Sequence, residues 1–254
     1  MEAERLRLPL INSSDTFKKP YHLEARPPSG RIRSMRRKVN FVTGEFYHIY
    51  NRGVDKRVIF SDTYDTKRFF QSMEEFNAEK AIGSIYENSF VKKDPKSPPA
   101  QLGGEASKLV NFVCYCLNPN HYHFILEQVM DNGIEKFMQR IGTGYTMYFN
   151  NRYKRTRSLF QGVFKSSHID SNEYLLHSSV YVNLNNRVHK IDGDLSWNSW
   201  NEYAGEKSSD FCKKDIILGQ FNNRDEYKKF AQSSLIDILK RKEEEKDLEN
   251  ILLE

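Results

Sequence analysis

The spacing of apolar and polar positions changes several times along the chain, and each change marks an element. Glu45-Phe-Tyr-His-Ile-Tyr-Asn-Arg-Gly53 is rich in aromatic and β-branched residues and stops at glycine, which predicts a strand. Over 62–81, Phe69, Phe70, Met73 and Phe76 fall at helical spacing behind Asp62, a residue suited to cap a helix. Segments 109–117 and 121–127 read as two strands, and Asn118-Pro119-Asn120 between them supplies the turn of a hairpin. Over 134–153, Phe137, Ile141, Tyr145 and Tyr148 stand three and four apart, the pattern of an amphipathic helix. A further strand is expected over 160–169. A helix over 171–185 follows, capped by Ser171, with Leu175, Leu176, Ser179 and Val182 as its packing face. Around Trp197 and Trp200 the segment 195–235 holds two short helical patterns, and the charge-dense 240–254 suits a frayed helix.

Strands and helices are thus intermixed, with hairpin and helix connections around a mostly antiparallel sheet. That is an α+β plan. The order predicts three regions. Residues 1–40, with Pro9, Pro20, Pro27, Pro28 and Gly30 and no lasting periodicity, form a basic, irregular arm. Residues 41–190 form the main domain, interrupted by a polar, breaker-rich surface loop over 91–107. Residues 191–254 form a helical extension that packs onto it.

Composition narrows the class. Charged residues make up 29% of the 254, and no apolar run is long enough to span a bilayer. Three cysteines do not make a disulfide framework, and the first residues lack the apolar core of a secretory signal. A soluble protein of a reducing cytoplasm is expected. The net charge of +5 is modest but unevenly placed. Lys136, Arg140, Arg152, Lys154, Arg155, Arg157 and Lys165 follow one another with no Asp or Glu between them and with Tyr and Phe interleaved. Cations neutralise phosphates and rings stack on unpaired bases, so this stretch suits a nucleic-acid strand; a solvated helix face over core aromatics is the plainer reading.

Chemistry concentrates at His121 and His123. A strand repeats every two residues, so both imidazoles project from one face while Tyr122 and Phe124 point to the other. Such a pair is either two-thirds of a metal site or simply two solvated or hydrogen-bonded side chains. Downstream, Tyr181 and Asn185 are four apart and share a helix face. If that helix packs across the strand, Asn185 can add an amide oxygen and Tyr181 its phenol beside the same ion. Two nitrogens and an oxygen leave open positions on a divalent ion such as Mg²⁺ or Mn²⁺. Tyr145, Tyr148 and Tyr153 are rival nucleophiles. His48 and His168 can approach from neighbouring strands, whereas His22, His177 and His189 give no signal. Cys114-x-Cys116 ahead of the histidines also permits a structural zinc site.

Four segments carry a resemblance: Tyr47-His-Ile-Tyr-Asn-Arg-Gly53, Tyr115-Cys-Leu-Asn-Pro-Asn-His-Tyr-His-Phe-Ile-Leu126, Gly162-Val-Phe-Lys-Ser-Ser-His168 and Tyr181-Val-Asn-Leu-Asn185. In order and rough spacing, over about 41–235, the chain resembles the tyrosine transposases of the IS200/IS605 type, especially their REP-associated relatives, within the HUH (His-hydrophobic-His) endonuclease class. The resemblance implies a ferredoxin-like HUH domain, with His121 and His123 as metal ligands, Asn185 as third ligand and Tyr181 as nucleophile. It implies a single-strand DNA endonuclease and strand transferase that uses Mg²⁺ or Mn²⁺. Tyr181 would become joined to a 5′-phosphate and free a 3′-hydroxyl. The implied partner is hairpin-forming single-stranded DNA. Arg52 joins the basic run as a phosphate contact, and both homodimers and monomers occur in the class. The chain departs from the family at Asn118, where Met is common, and after Asn185, where Asn186-Arg187-Val188 lacks the usual proline. A binding-only relative and a zinc-dependent hydrolase are the alternatives.

Overall fold

A computed structural model of the protein describes residues 40–85, 107–191 and 196–251, with side-chain detail as far as residue 245. The expected irregular arm and the 91–107 loop lie, but for their last residues, outside this range. Five strands form one antiparallel sheet: β1 (Phe46–Arg52), β2 (Val110–Asn118), β3 (His121–Gln128), β4 (Lys165–Ile169) and β5 (Trp197–Asn198), in the order β4-β1-β3-β2-β5. The first four, with α1 (Thr63–Glu75) after β1 and α2 (Gly133–Arg152) after β3, give the β-α-β-β-α-β order of a ferredoxin-like domain. The α+β assignment holds, and β5 adds an edge strand to it.

Local chemistry explains the boundaries. The Asp62 carboxylate accepts from the Asp65 amide and starts α1. That helix ends at Glu75, short of the expected 81, because Asn77 leaves it to bind β2: its amide donates to Val110 O and accepts from Leu109 N and Val110 N. The hairpin turn falls at Pro119-Asn120, where the spacing put it. The strand expected over 160–169 is shorter and begins at Lys165, with Phe160 making only an isolated bridge to Gly53.

β1, β2 and β3 present Tyr47, Ile49, Phe112, Tyr115, Tyr122 and Phe124 to α1 and α2, where Phe69, Phe137 and Tyr145 complete an aromatic core, all 3% exposed or less. A network ties the two helices. Asp65, with no side-chain exposure, accepts from Tyr148 Oη, Tyr153 Oη and Arg152. Tyr145 Oη donates to Ile59 O at 2.6 Å.

The opposite face is covered by α3 (Asn172–Asn183), whose Ser171 cap accepts from Tyr174 N. The expected single helix over 171–185 breaks at Leu184, and a short helix α4 (Asn185–Val188) follows. Helices α5 (Trp200–Ala204), α6 (Asp215–Leu218) and α7 (Arg224–Ile251) pack behind α3 in one apolar cluster with it. The last is much longer than the charge-dense tail suggested. Among the described residues no helix is long and apolar enough to cross a membrane.

Candidate active site

A bulge at Val113 resets the register of β2, so that Cys116 stands opposite His123 and Asn118 opposite His121. On the other side of β3, Tyr50 stands opposite His123 and Arg52 opposite His121, while Lys165 of β4 pairs with Tyr50. Directly opposed residues share a face. The antiparallel pairing therefore gathers two histidines, a tyrosine and two cations on the face that α3 covers.

The imidazoles are held in defined orientations. His121 Nδ1 lies 2.6 Å from Asn120 Oδ1, an acceptor, so it carries the proton and leaves a lone pair on Nε2. That Nε2 is 2.9 Å from Asn118 Nδ2 and 3.0 Å from Asn185 Oδ1. Asn118 Nδ2 also donates to Asn185 Oδ1 at 2.8 Å. Two lone pairs thus face one another across a single amide donor, and the buried Asn185 Nδ2 has no hydrogen-bond partner. His123, 8% exposed, places Nδ1 2.9 Å from His48 Nε2. When His123 donates there, its Nε2 lone pair is free for a ligand.

Burial keeps these rings neutral. His123 is held well below the ordinary histidine range by desolvation first and then by His48, His121 and His189. Desolvation pulls His48 down to about 4 and also lowers His121. A neutral imidazole is the form that binds a metal. Tyr181 stands edge-on to His123 and His48, with ring centroids 5.6 and 6.0 Å apart. Burial raises its phenol above the ordinary tyrosine range, and the Asn185 amide offsets part of that rise. At neutral pH the group is a protonated phenol.

The three expected ligands and the expected nucleophile are therefore neighbours, although Asn185 is not on the helix of Tyr181. It opens α4, beyond the break at Leu184. Asn183 anchors that break: its amide donates to Tyr227 Oη and accepts from Ser199 Oγ. Lys242 Nζ donates to Val188 O and closes α4 at its far end.

The basic candidates separate. Arg52 and Lys165 flank the histidine face. Arg52 donates to Gln161, and Lys165 Nζ lies 5.9 Å from the Tyr50 ring centre. Lys154 and Arg157 are exposed beyond α2, and Arg155 lies over the Phe149 ring. Arg140 donates to the carbonyls of Phe76, Ala78 and Glu79, and Arg152 is paired with Asp62 and Asp65. Both of these tie α1 to α2.

Three residues at the site were not singled out from the sequence. Tyr50 stacks on His123 at 5.5 Å, His189 lies 4.9 Å from His121, and Asn118 bridges His121 to Asn185. The period of β1 already placed Tyr50 with His48, but nothing in the sequence joined His189 to His121. His168 is corrected: it lies opposite Tyr47 on the other face and pairs with Glu45. The rival tyrosines 145, 148 and 153 all lie on α2 or at its end, across the sheet from the histidines. Cys114 and Cys116 are buried, and desolvation pushes the Cys116 thiol up to about 12, which disfavours the thiolate zinc requires. No group of three or more His, Cys, Asp or Glu among the described residues is arranged to hold a metal. Any ion here would depend on the Asn185 amide as well as on imidazoles.

Residues 103–208 match the family model described as Transposase IS200 like. The match contains the histidine pair, Tyr181 and Asn185, and it bears out the resemblance carried by the motifs. A solved structure described as the REP-associated tyrosine transposase bound to a REP hairpin is similar at 12% identity and TM-score 0.38, over 68% of this chain and 90% of that one. No curated protein matches.

Proposed function

We propose that the protein is a transposase of the tyrosine type, cutting and rejoining single-stranded DNA with Tyr181 as nucleophile. The convergence of His121 Nε2, His123 and Asn185 Oδ1 beside the Tyr181 ring carries this reading. The donor set fits a divalent ion. It offers two imidazole nitrogens free of protons and one amide oxygen, and the opposed lone pairs of His121 and Asn185 are an arrangement a cation would relieve. Bound Mg²⁺ or Mn²⁺ would supply charge stabilisation at one phosphate oxygen.

The protein's own groups do the rest. The Tyr181 phenol oxygen attacks phosphorus as its proton is lost to solvent, the bond from phosphorus to the 3′ oxygen breaks, and that oxygen takes up a proton and leaves as a hydroxyl, with a phosphotyrosine left at the 5′ side. Attack by a 3′-hydroxyl reverses the step on a new strand, so no outside energy source is needed. Asn118 and Asn120 fix the His121 tautomer, and His48 fixes His123. Arg52 and Lys165 flank the site as phosphate contacts, with Lys154, Arg155 and Arg157 extending the basic surface toward a hairpin stem.

Incubation with labelled single-stranded hairpin DNA and Mn²⁺ tests the reading. A covalent protein–DNA adduct is expected in the wild type and in Tyr50→Phe, and none in Tyr181→Phe or with chelator present. An adduct that persists in Tyr181→Phe overturns the nucleophile assignment. Cleavage without any adduct would instead point to a metal-bound water, and binding without cleavage to a binding-only protein.

A further inference from the structure

The third proposed ligand, Asn185, opens a helix of four residues, too short to hold its own direction in water. Its backbone carbonyls are closed one by one. Leu184 O accepts from Arg187 N and Val188 N, Asn185 O from His189 N, Arg187 O from Lys190 N and Asn186 O from Ile191 N. The chain then turns away through Lys190, whose φ of 54° lies in the left-handed region. Val188 O is left over, on a residue 3% exposed, and its donor comes from 54 positions away. Lys242 of α7 places Nζ 2.8 Å from it. A carbonyl at a helix C-terminus carries partial negative charge, so an ammonium suits it.

The same ammonium has a second contact, 3.4 Å from His189 Nδ1. An ammonium only donates, so Nδ1 accepts and the His189 proton sits on Nε2. His189 in turn stands edge-on to His121, with ring centres 4.9 Å apart. One side chain therefore touches both the far end of the helix that Asn185 begins and the ring that leans on His121. On the near side of Asn185, α7 also supplies Tyr227, whose hydroxyl accepts from the Asn183 amide. Two contacts from one long helix thus bracket the ligand. Asn185 needs the support. Its amide nitrogen has no hydrogen-bond partner and its oxygen faces the His121 lone pair, so little beyond Asn118 holds the side chain in place.

We propose that Lys242 is a positioning residue for the metal site: from α7 it clamps α4 and His189, and so keeps Asn185 Oδ1 and His121 Nε2 aimed at one ion. The inference rests on the metal reading given above. Lys242 hydrogen-bonds neither ligand, and it is exposed, so its replacement leaves the core intact. Full-length wild type, Lys242→Met and Lys242→Arg are compared in two measurements that involve no cleavage. Met keeps a long stem without a donor, and Arg keeps a cationic donor. In metal-free protein, hydrogen exchange at the Val188 and His189 amides is expected to quicken in Lys242→Met and to slow again in Lys242→Arg. Mn²⁺ affinity, read from the free-ion signal by electron paramagnetic resonance, is expected to fall about 10- to 100-fold in Lys242→Met and to recover in Lys242→Arg. That is the range for outer groups that orient metal ligands. Because Lys242 acts through the ligands, the same substitution should cost less in Asn185→Ala protein.

Unchanged amide exchange in Lys242→Met overturns the clamp. Faster exchange with unchanged Mn²⁺ affinity overturns its link to the metal site, and so does an undiminished loss in Asn185→Ala protein. Failure of the wild type to take up Mn²⁺ falls on the metal reading instead, while the exchange measurement still decides whether Lys242 braces α4.

Discussion

The two faces of the central sheet are made from the same strands by alternating residues, yet they do opposite work. On one face Tyr122 and Phe124 of β3 meet Phe69, Phe112, Phe160 and, through Phe69, Tyr145, and the Tyr145 hydroxyl and the Asp65 carboxylate are hydrogen-bonded. On the other, His121 and His123 are desolvated almost as thoroughly, but an amide nitrogen is left unpartnered and two lone pairs confront each other. Burial on the first face removes apolar surface from water and stabilises the fold. Burial on the second keeps imidazoles neutral and a phenol protonated, which costs stability and prepares chemistry. The difference shows that one strand can divide stability and reactivity residue by residue, because its side-chain period is two.

The sharpest way to break this comparison is to exchange the effects. Tyr181→Phe removes one oxygen and is expected to abolish adduct formation while leaving the urea midpoint nearly unchanged. Phe124→Ala should do the reverse: about 3–5 kcal/mol of stability lost to a core cavity, read by urea unfolding, with adduct formation retained in the fraction still folded. If Phe124→Ala is neutral, or if Tyr181→Phe unfolds the protein, the division between faces fails.

The pH dependence of metal-free protein sharpens the same point. His48 titrates near 6.5 when unfolded and at about 4 when folded, so between those values the unfolded chain binds the extra proton. Stability is therefore fully present above about 6.5 and falls as the pH drops toward 4, by on the order of 3 kcal/mol. His48→Asn, which cannot take up that proton, should flatten the slope in chelator-treated samples. An unchanged slope would show that His48 is not desolvated in the folded protein. The smallest effect belongs to Ser171→Ala, which removes the cap of α3. A loss of about 1 kcal/mol is expected by thermal unfolding, and a loss above 3 would mean that the site face contributes more to stability than its chemistry suggests.

Much of this was legible in the sequence because it depends on local rules. The hairpin followed from Asn-Pro-Asn between two apolar runs, the start of α1 from Asp62, and the start of α3 from Ser171. The shared face of His121 and His123 followed from strand period alone. The errors arose where a distant partner overrode local pattern. Asn77 ended α1 early by binding β2, and the anchoring of Asn183 to Tyr227 and Ser199 accompanies the break between Tyr181 and Asn185. Arg140 and Arg152 look like their basic neighbours in sequence, but carbonyls just after α1 engage the first and carboxylates at the start of α1 the second.

By itself the sequence determined the alternation of each strand, the caps of the helices, and the residue types of a histidine–tyrosine–amide site. These depend on neighbours within a few positions, where backbone geometry sets direction. The tertiary structure decided which pieces meet. The Val113 bulge turned Asn118 toward His121, the order β4-β1-β3 brought Lys165 and Tyr50 beside His123, and α4 carried His189 against His121. Those contacts join segments up to 115 positions apart, the separation of Tyr50 from its partner Lys165. At such separations only the packing of the whole sheet against its helices fixes the partner.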